Sequence, residues 1–346
     1  VFKIMNKREN MISEQIIEDV CSLYGIKVNS IGKVFDNSRT PSDKRYIYPV
    51  NDAYMLKFYN NGSISEAYLN DVDRLIKRYK EIGIYCPSLV KNKRNQFAVF
   101  CKQDDDTFSC YVEEMARFRL MDPGRIDSFA FRKELVKHLG VLASAYTNID
   151  LSVTKSMWSI IDLAPLDKDV DEKQEHLNRL VRCLKSHQLD AAADLSVSCN
   201  EKARMKIKEY FSELPRCVYQ GDLNFTNILV DDTDCFAGLI DFNMFGTEVN
   251  INCFLNETFC EPEPEEYNKY SANELFIQMQ RQQDELLNGI WENYSLSEAE
   301  KICFPEYRKI IGLSQYPIVQ SWIKMLEAGI HTEKICDLLH LIANQN

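Results

Sequence analysis

Between Cys217 and Gly246 the chain reads CVYQGDLNFTNILVDDTDCFAGLIDFNMFG, and three of its side chains have the types and spacing to do chemistry. Asp222 precedes Asn227 by five positions, and Asp241 follows after two apolar runs separated by Asp231-Asp232-Thr233-Asp234. The apolar runs predict strands over 227–230 and 236–242, and the acidic run between them is turn chemistry. A hairpin folded near position 234 sets Asn227 and Asp241 across from each other at its open end. Asp222 lies on the loop leading into that end, so two carboxylates and a carboxamide converge. Such oxygens suit a hard cation like Mg²⁺, which takes few protein ligands and completes its shell with water and phosphate. With Asn227 and Asp241 as ligands, Asp222 is left to orient a hydroxyl and accept its proton. Aspartate and asparagine are also ordinary turn residues, and an isolated D-x-x-x-x-N says little. The same motif followed by a hairpin and Ile240-Asp241-Phe242 is far more specific.

The elements that must hold this group follow from periodicity. Residues 11–24 predict a helix, with Ile12, Ile16, Val20 and Leu23 on one face. Val34-Phe35, Arg45 to Val50 and Ala53 to Tyr59 predict strands, the last two joined by a turn at Pro49 to Asp52. Residues 63–82 predict a helix striped by Ile64, Tyr68, Val72, Leu75, Ile76, Tyr79 and Ile82, closed by Gly83 and Pro87. Residues 97–101 and 107–115 predict two more strands around the turn Asp104-Asp105-Asp106. After Met115 the pattern turns helical, over 127–147, 171–187, 201–213, 270–294, 297–302 and 305–344. The expected organisation is an α+β chain with a boundary near 112–118.

Composition narrows the partners. With 41 Lys+Arg against 52 Asp+Glu the net charge is -11, which argues against nucleic acid, because a phosphate backbone demands a basic field. The 12 cysteines contain no C-x-x-C pair and sit mostly in apolar runs, so they read as reduced thiols of a cytoplasmic protein. No stretch approaches the ~18 apolar residues of a spanning helix, so no membrane partner is expected. Residues 1–10 lack a signal-peptide core and read as a tag remnant or a frayed extension.

The run Gln220-Gly221-Asp222-Leu223-Asn224-Phe225-Thr226-Asn227-Ile228-Leu229, then Gly238-Leu239-Ile240-Asp241-Phe242, resembles the catalytic loop and metal-binding Asp of the aminoglycoside phosphotransferase family. That family is similar to choline, homoserine and fructosamine kinases and shares the protein-kinase-like fold. The resemblance implies a bilobal α+β chain. Residues 1–115 would form a small antiparallel-sheet lobe with one long helix that binds nucleotide. Residues 116–346 would form a large, mainly helical lobe carrying the catalytic loop and the acceptor site. It implies an enzyme that moves the γ-phosphate of ATP or GTP, with Mg²⁺, to a hydroxyl of a small molecule. Asp222 would be the catalytic residue, Asn227 a metal ligand and Asp241 the metal-bridging Asp. Lys57, alternating out of an apolar strand, would bind the α/β-phosphates. Tyr111 to Met115 would connect the lobes, with the backbone of Glu113 and Met115 meeting the base.

Three departures stand out. Gln220 replaces the usual His, and its amide can support the loop in a similar way. No glycine lies between Gly32 and Lys57, so Asp36-Asn37-Ser38-Arg39 is the expected tip of the phosphate-covering loop. The helix acid that should pair with Lys57 is open among Asp71, Asp73 and Glu66. Residues 247–267 read as an acceptor wall: Glu248, Glu257, Glu261, Glu263, Glu265 and Glu266 with Phe254, Phe259, Trp291 and Trp322 suit an amino-bearing acceptor. A pseudokinase or nucleotide-binding scaffold is the alternative, though it needs none of Lys57, Asp222, Asn227 and Asp241. A protein kinase would want an activation segment after Asp241, and none is visible.

Overall fold

The computed structural model describes residues 11–122, 124 and 129–345; the expectation for residues 1–10 lies outside them. The chain divides into two compact units, the first comprising Val1–Arg119, Leu229–Asp232 and Ala237–Ile240, the second the remainder. The division falls a few residues beyond Met115, and two short pieces of the hairpin after Asn227 group with the first unit.

The first unit is built on an antiparallel sheet. Its strands are β1 (Phe35–Asp36), β2 (Arg45–Val50), β3 (Tyr54–Tyr59), β4 (Leu89–Val90), β5 (Val99–Gln103) and β6 (Asp106–Glu114), in the order β1-β2-β3-β6-β4, with β5 also pairing β6. Asn51 and Asp52 both take positive φ (57° and 51°), which gives the tight β2–β3 turn the twist that a hairpin needs. Alternation then sorts side chains: Leu56 and Phe58 join Tyr46, Tyr48, Phe108, Cys110 and Val112 in a buried cluster. Helix α1 (Glu14–Leu23), capped by Ser13, covers that face with Ile17, Val20 and Cys21. Helix α2 (Glu66–Glu81), capped by Ser65, buries Leu69, Val72, Leu75, Ile76 and Tyr79 and stops where Gly83 takes φ +85°. After α2 the chain forms a parallel bridge to the returning hairpin: Tyr85 N–H donates to Ala237 O (3.1 Å) and Leu239 N–H to Tyr85 O (2.9 Å). A Cβ on Gly238 would fall 2.0 Å from Tyr85 O, so only glycine fits this approach.

The loop between β1 and β2 corrects one expectation. Its tip is the turn Thr40–Asp43, closed by Asp43 N–H to Thr40 O (3.0 Å), rather than Asp36 to Arg39. Ser38 sits on the stem, where its hydroxyl accepts from Arg45 N–H (3.0 Å).

Past the short strand β7 (Arg119–Leu120), the second unit is mainly helical: α3 (Phe129–Tyr146), α4 (Glu172–Ser186) and α5 (Asp190–Tyr210), then, after the strand pair and hairpin, α6 (Asn250–Glu257), α7 (Glu266–Lys269), α8 (Ala272–Trp291), α9 (Glu298–Ser314), α10 (Tyr316–Glu327) and α11 (Thr332–Ala343). Its core gathers Leu177, Leu180, Leu184, Leu275, Trp322, Leu326, Leu338 and Leu339. Helix α5 begins eleven residues before its expected start, because its buried face there is Ala193, Ser196 and Asn200 and shows no apolar stripe. Helix α9 runs through Pro305 instead of breaking before it. Strands β8 (Arg216–Tyr219) and β11 (Gly246–Val249) pair antiparallel and enclose the hairpin strands β9 (Ile228–Val230) and β10 (Phe236–Leu239) in sequence. Among the described residues no helix is long and apolar enough to cross a membrane.

Candidate active site

Gln220, Asp222 and Asn227 lie in the second unit on the loop that leaves β8, and Asp241, also in the second unit, follows β10. Gln220 is fully buried and spans the site: its Nε2 donates to Asp241 O (2.6 Å), and its Oε1 accepts from Asp222 N–H (2.7 Å). One amide therefore ties the start of the loop to the residue after the hairpin. Gly221 takes φ +81°, and a Cβ there would lie 2.3 Å from Met244 O. The chain turns sharply at this point, so Asp222 faces its partners instead of continuing the strand.

Asp222 accepts from Asn224 Nδ2 (2.7 Å) at Oδ1 and from Asn227 Nδ2 (2.9 Å) at Oδ2, and Asn227 Nδ2 also reaches Asp222 O (3.1 Å). Asn224 caps the single 3₁₀ turn Phe225–Asn227 by accepting from Thr226 N–H (2.9 Å). Asn227, 5% exposed, is delivered by that turn rather than by the strand itself. Its amide nitrogen is committed to Asp222, which directs its Oδ1 elsewhere. Asp241 follows β10 with φ +56°, and its Oδ1 accepts from Asn243 N–H (3.1 Å). Burial raises the Asp222 carboxyl above the usual range; the Asn224 hydrogen bond opposes this and the Asp241 charge adds to it. Asp222, Asn227 and Asp241 are thus brought together. Asn227 Oδ1 and the Asp241 carboxylate are hard-oxygen donors of the kind that fits Mg²⁺.

Two partners of this loop went unread in the sequence. Asn224 holds Asp222, as any short-range Asx pattern could suggest. Trp158 donates its indole N–H to Gly221 O across 63 positions, and no local signal announces it.

Lys57 lies in the first unit, on the sheet face opposite the α1 cluster. Its register partner is Tyr111, whose ring lies 5.6 Å from Nζ. Lys57 Nζ pairs with Glu113 at 2.8 and 2.9 Å, both side chains being largely buried. Glu113 is two residues beyond Tyr111 and so on the same face. Glu113, a strand residue, is thus an acid that meets Lys57. Of the helix candidates, Glu66 accepts from Phe97 N–H (3.0 Å) and Ala98 N–H (2.8 Å), Asp71 pairs with Arg74, and Asp73 pairs with Lys77 (2.7 Å). Glu113 presents its side chain to Lys57 and lies in β6 opposite Met55 and Leu89. Met115 N–H donates to Ala53 O (2.8 Å), so that donor is engaged within the sheet.

The expected acceptor wall divides. Phe254 and Trp322 are core: Phe254 packs edge-on against Trp291 and Tyr294, and Trp322 donates to Tyr267 Oη (2.9 Å). Glu248 is buried and accepts from Ser159 Oγ (3.1 Å) and Val249 N–H (2.8 Å). Glu266 is engaged by Gln278 Nε2 (2.7 Å) and Glu263 N–H (2.8 Å). Glu257 keeps partial solvent access, yet burial pushes its carboxyl up to about 7; the Asp222 charge adds to this, and Arg132 and Lys173 oppose it.

A family model described as the phosphotransferase enzyme family matches residues 41–269. No curated protein matches the chain by sequence. Among solved structures the chain is similar to a microcompartment-associated aminopropanol kinase, with 14% identity, a TM-score of 0.54, and coverage of 95% of this chain and 97% of that one. It is similar to a spectinomycin phosphotransferase solved with ADP and spectinomycin, at 14% identity and TM-score 0.54, over 96% and 99% of the two chains. An amicoumacin kinase solved with AMP-PNP and Ca²⁺ gives 14% identity and TM-score 0.52, over 96% and 94%. At such identities the likeness is one of fold, the protein-kinase-like α+β fold.

Proposed function

Since the chain belongs to the phosphotransferase enzyme family, we propose that it transfers the γ-phosphoryl group of ATP or GTP to a hydroxyl of a small, amino-bearing molecule. The observation that carries this reading is the hydrogen-bonded set Gln220, Asp222, Asn227 and Asp241. Asp222 is the base and orienting group. Its raised pKa makes it a better proton acceptor than an ordinary aspartate, and its two amide partners fix its direction. Asn227 and Asp241 would hold Mg²⁺, which when bound neutralises phosphate charge. Lys57, positioned by Glu113, would meet the α/β-phosphates.

Glu257 supports an amino-bearing acceptor. A carboxyl held near 7 by burial and by the Asp222 charge gains a partner when an ammonium group binds beside it. The aminopropanol, spectinomycin and amicoumacin kinases of the same fold make amino alcohols and amino-bearing antibiotics the first compounds to try. The experiment is a nucleotide-consumption screen with Mg²⁺ against amino alcohols, sugars and aminoglycosides. Consumption with an acceptor, lost in Asp222→Asn, is the expected result. Nucleotide binding without consumption across the panel would favour the scaffold reading.

A further inference from the structure

The Gly221–Asp222 peptide is held at both ends. Gln220 Oε1 takes its N–H, and the Trp158 indole takes its carbonyl. A peptide unit is rigid, so fixing both polar groups fixes the plane from which Asp222 projects. Without such a clamp this would be the loosest link of the loop, because a glycine at φ +81° has the widest conformational freedom of any residue.

Trp158 is itself fastened on every side. Its backbone N–H donates to Ser156 Oγ (3.2 Å), and its backbone carbonyl accepts from Asn252 Nδ2 (2.9 Å). The next residue, Ser159, is bound to the buried Glu248. The segment before it lies along β11 through Thr247 N–H to Thr154 O (2.8 Å) and Ser156 N–H to Thr247 O (3.0 Å). The Trp158 ring carries the Lys173 ammonium 5.6 Å from its centroid, and that lysine is 1% exposed and bonded to Gln315 Oε1. A tryptophan that merely filled space would need none of this, and its one polar atom would have no reason to reach a catalytic-type loop.

We infer that Trp158 is a positioning residue, whose indole N–H together with the Gln220 amide clamps the Gly221–Asp222 peptide and thereby sets the direction of the Asp222 carboxylate. The inference rests on the phosphotransferase reading for its consequence in turnover, but the contact can be read without turnover. Two replacements separate the ring from its N–H: Trp158→Phe, and benzothienylalanine at position 158, which keeps the bicyclic shape and removes only the donor. The turnover probe is phosphate release from Mg·ATP with water as acceptor. One lost hydrogen bond should lower kcat about three- to tenfold in both variants while KM for Mg·ATP stays unchanged. Wild-type kcat in the benzothienyl variant overturns the inference, and so does a loss confined to KM.

The second arm uses the intact fold. The chain has 3 tryptophans, so its ¹⁵N spectrum holds three indole resonances, and the Trp158 signal is the one missing from Trp158→Phe or, should that variant not fold, from the benzothienyl protein. Asp222→Asn and Mg·AMP-PNP should each displace that signal. An unmoved Trp158 indole under both overturns the clamp. A wild-type protein that releases no phosphate to water and consumes no nucleotide across the acceptor panel counts against the phosphotransferase reading, and the clamp then stands or falls on the indole signal.

Discussion

Replacing Gly221 by alanine tests how tightly the loop geometry is coupled to chemistry. The new Cβ would sit 2.3 Å from Met244 O, whereas real Cβ contacts begin near 3.0 Å, so the backbones must part by 3.0 − 2.3 = 0.7 Å. The left-handed φ costs a non-glycine residue about 1–2 kcal/mol. Forcing rigid groups apart adds about 1–3 kcal/mol. The sum, about 2–5 kcal/mol, does not exceed the 5–15 kcal/mol stability typical of domains, so the variant should fold and can be assayed. A displacement approaching 1 Å of the residue before Asp222 should lower kcat roughly 10²-fold. Gly62 gives the control, since it has φ +70° with nothing within 4 Å of an added methyl group, so alanine there carries only the conformational cost. Urea denaturation of both variants, with phosphate release from Mg·ATP, makes the comparison. If Gly221→Ala matched Gly62→Ala in stability and kept wild-type kcat, the close approach to Met244 would not be positioning Asp222.

Asp222→Asn should reduce phosphate release by about 10²–10⁴ while Mg·AMP-PNP affinity, measured by calorimetry, holds. Asp241→Asn should weaken that affinity in the presence of Mg²⁺ and leave it unchanged in EDTA, because an amide is the poorer ligand for a hard cation. Glu113→Gln takes the carboxylate away from the buried Lys57 ammonium and should cost about 3–5 kcal/mol of stability, read by urea midpoint. Stability should also fall as pH rises from about 4.5 through about 7, because burial holds the Glu248 and Glu257 carboxyls near 7 and the folded chain keeps protons that the unfolded chain releases. Above about 8 the slope should reverse, since Lys173, depressed by burial to about 8, then loses its proton sooner folded than unfolded; Glu257→Gln should flatten the lower limb and, by removing a carboxylate charge that supports the Lys173 ammonium, start the upper limb at lower pH.

The sequence exposed what depends on short range. The order Asp222, Asn227, hairpin, Asp241 is written within twenty residues, and hydrogen bonds between neighbours in that run realise it. Strands β2 and β3 were legible because alternation and turn residues sit side by side. The partner of Lys57 was not, because it depends on the register that places Tyr111 opposite Lys57, and register is a property of two distant segments. Trp158 was invisible for the same reason. Two of the four aromatics of the acceptor wall failed differently: Phe254 and Trp322 have the right chemistry, but their helix faces turn inward to the core. Composition near a site cannot distinguish a wall from its foundation.

The bridge between Tyr85 and the strand containing Gly238 bears on how the protein is made. The first unit draws residues from as far along as Ile240, so it cannot be completed when Arg119 leaves the ribosome. A further 121 residues must follow (240 − 119), which at typical elongation rates takes ~6–24 s. Through that interval the Tyr85 N–H and carbonyl have no strand to bind, and the slot shaped for a glycine backbone stands open. A clone that stops at the apparent domain boundary would encode a unit permanently missing two of its own pieces.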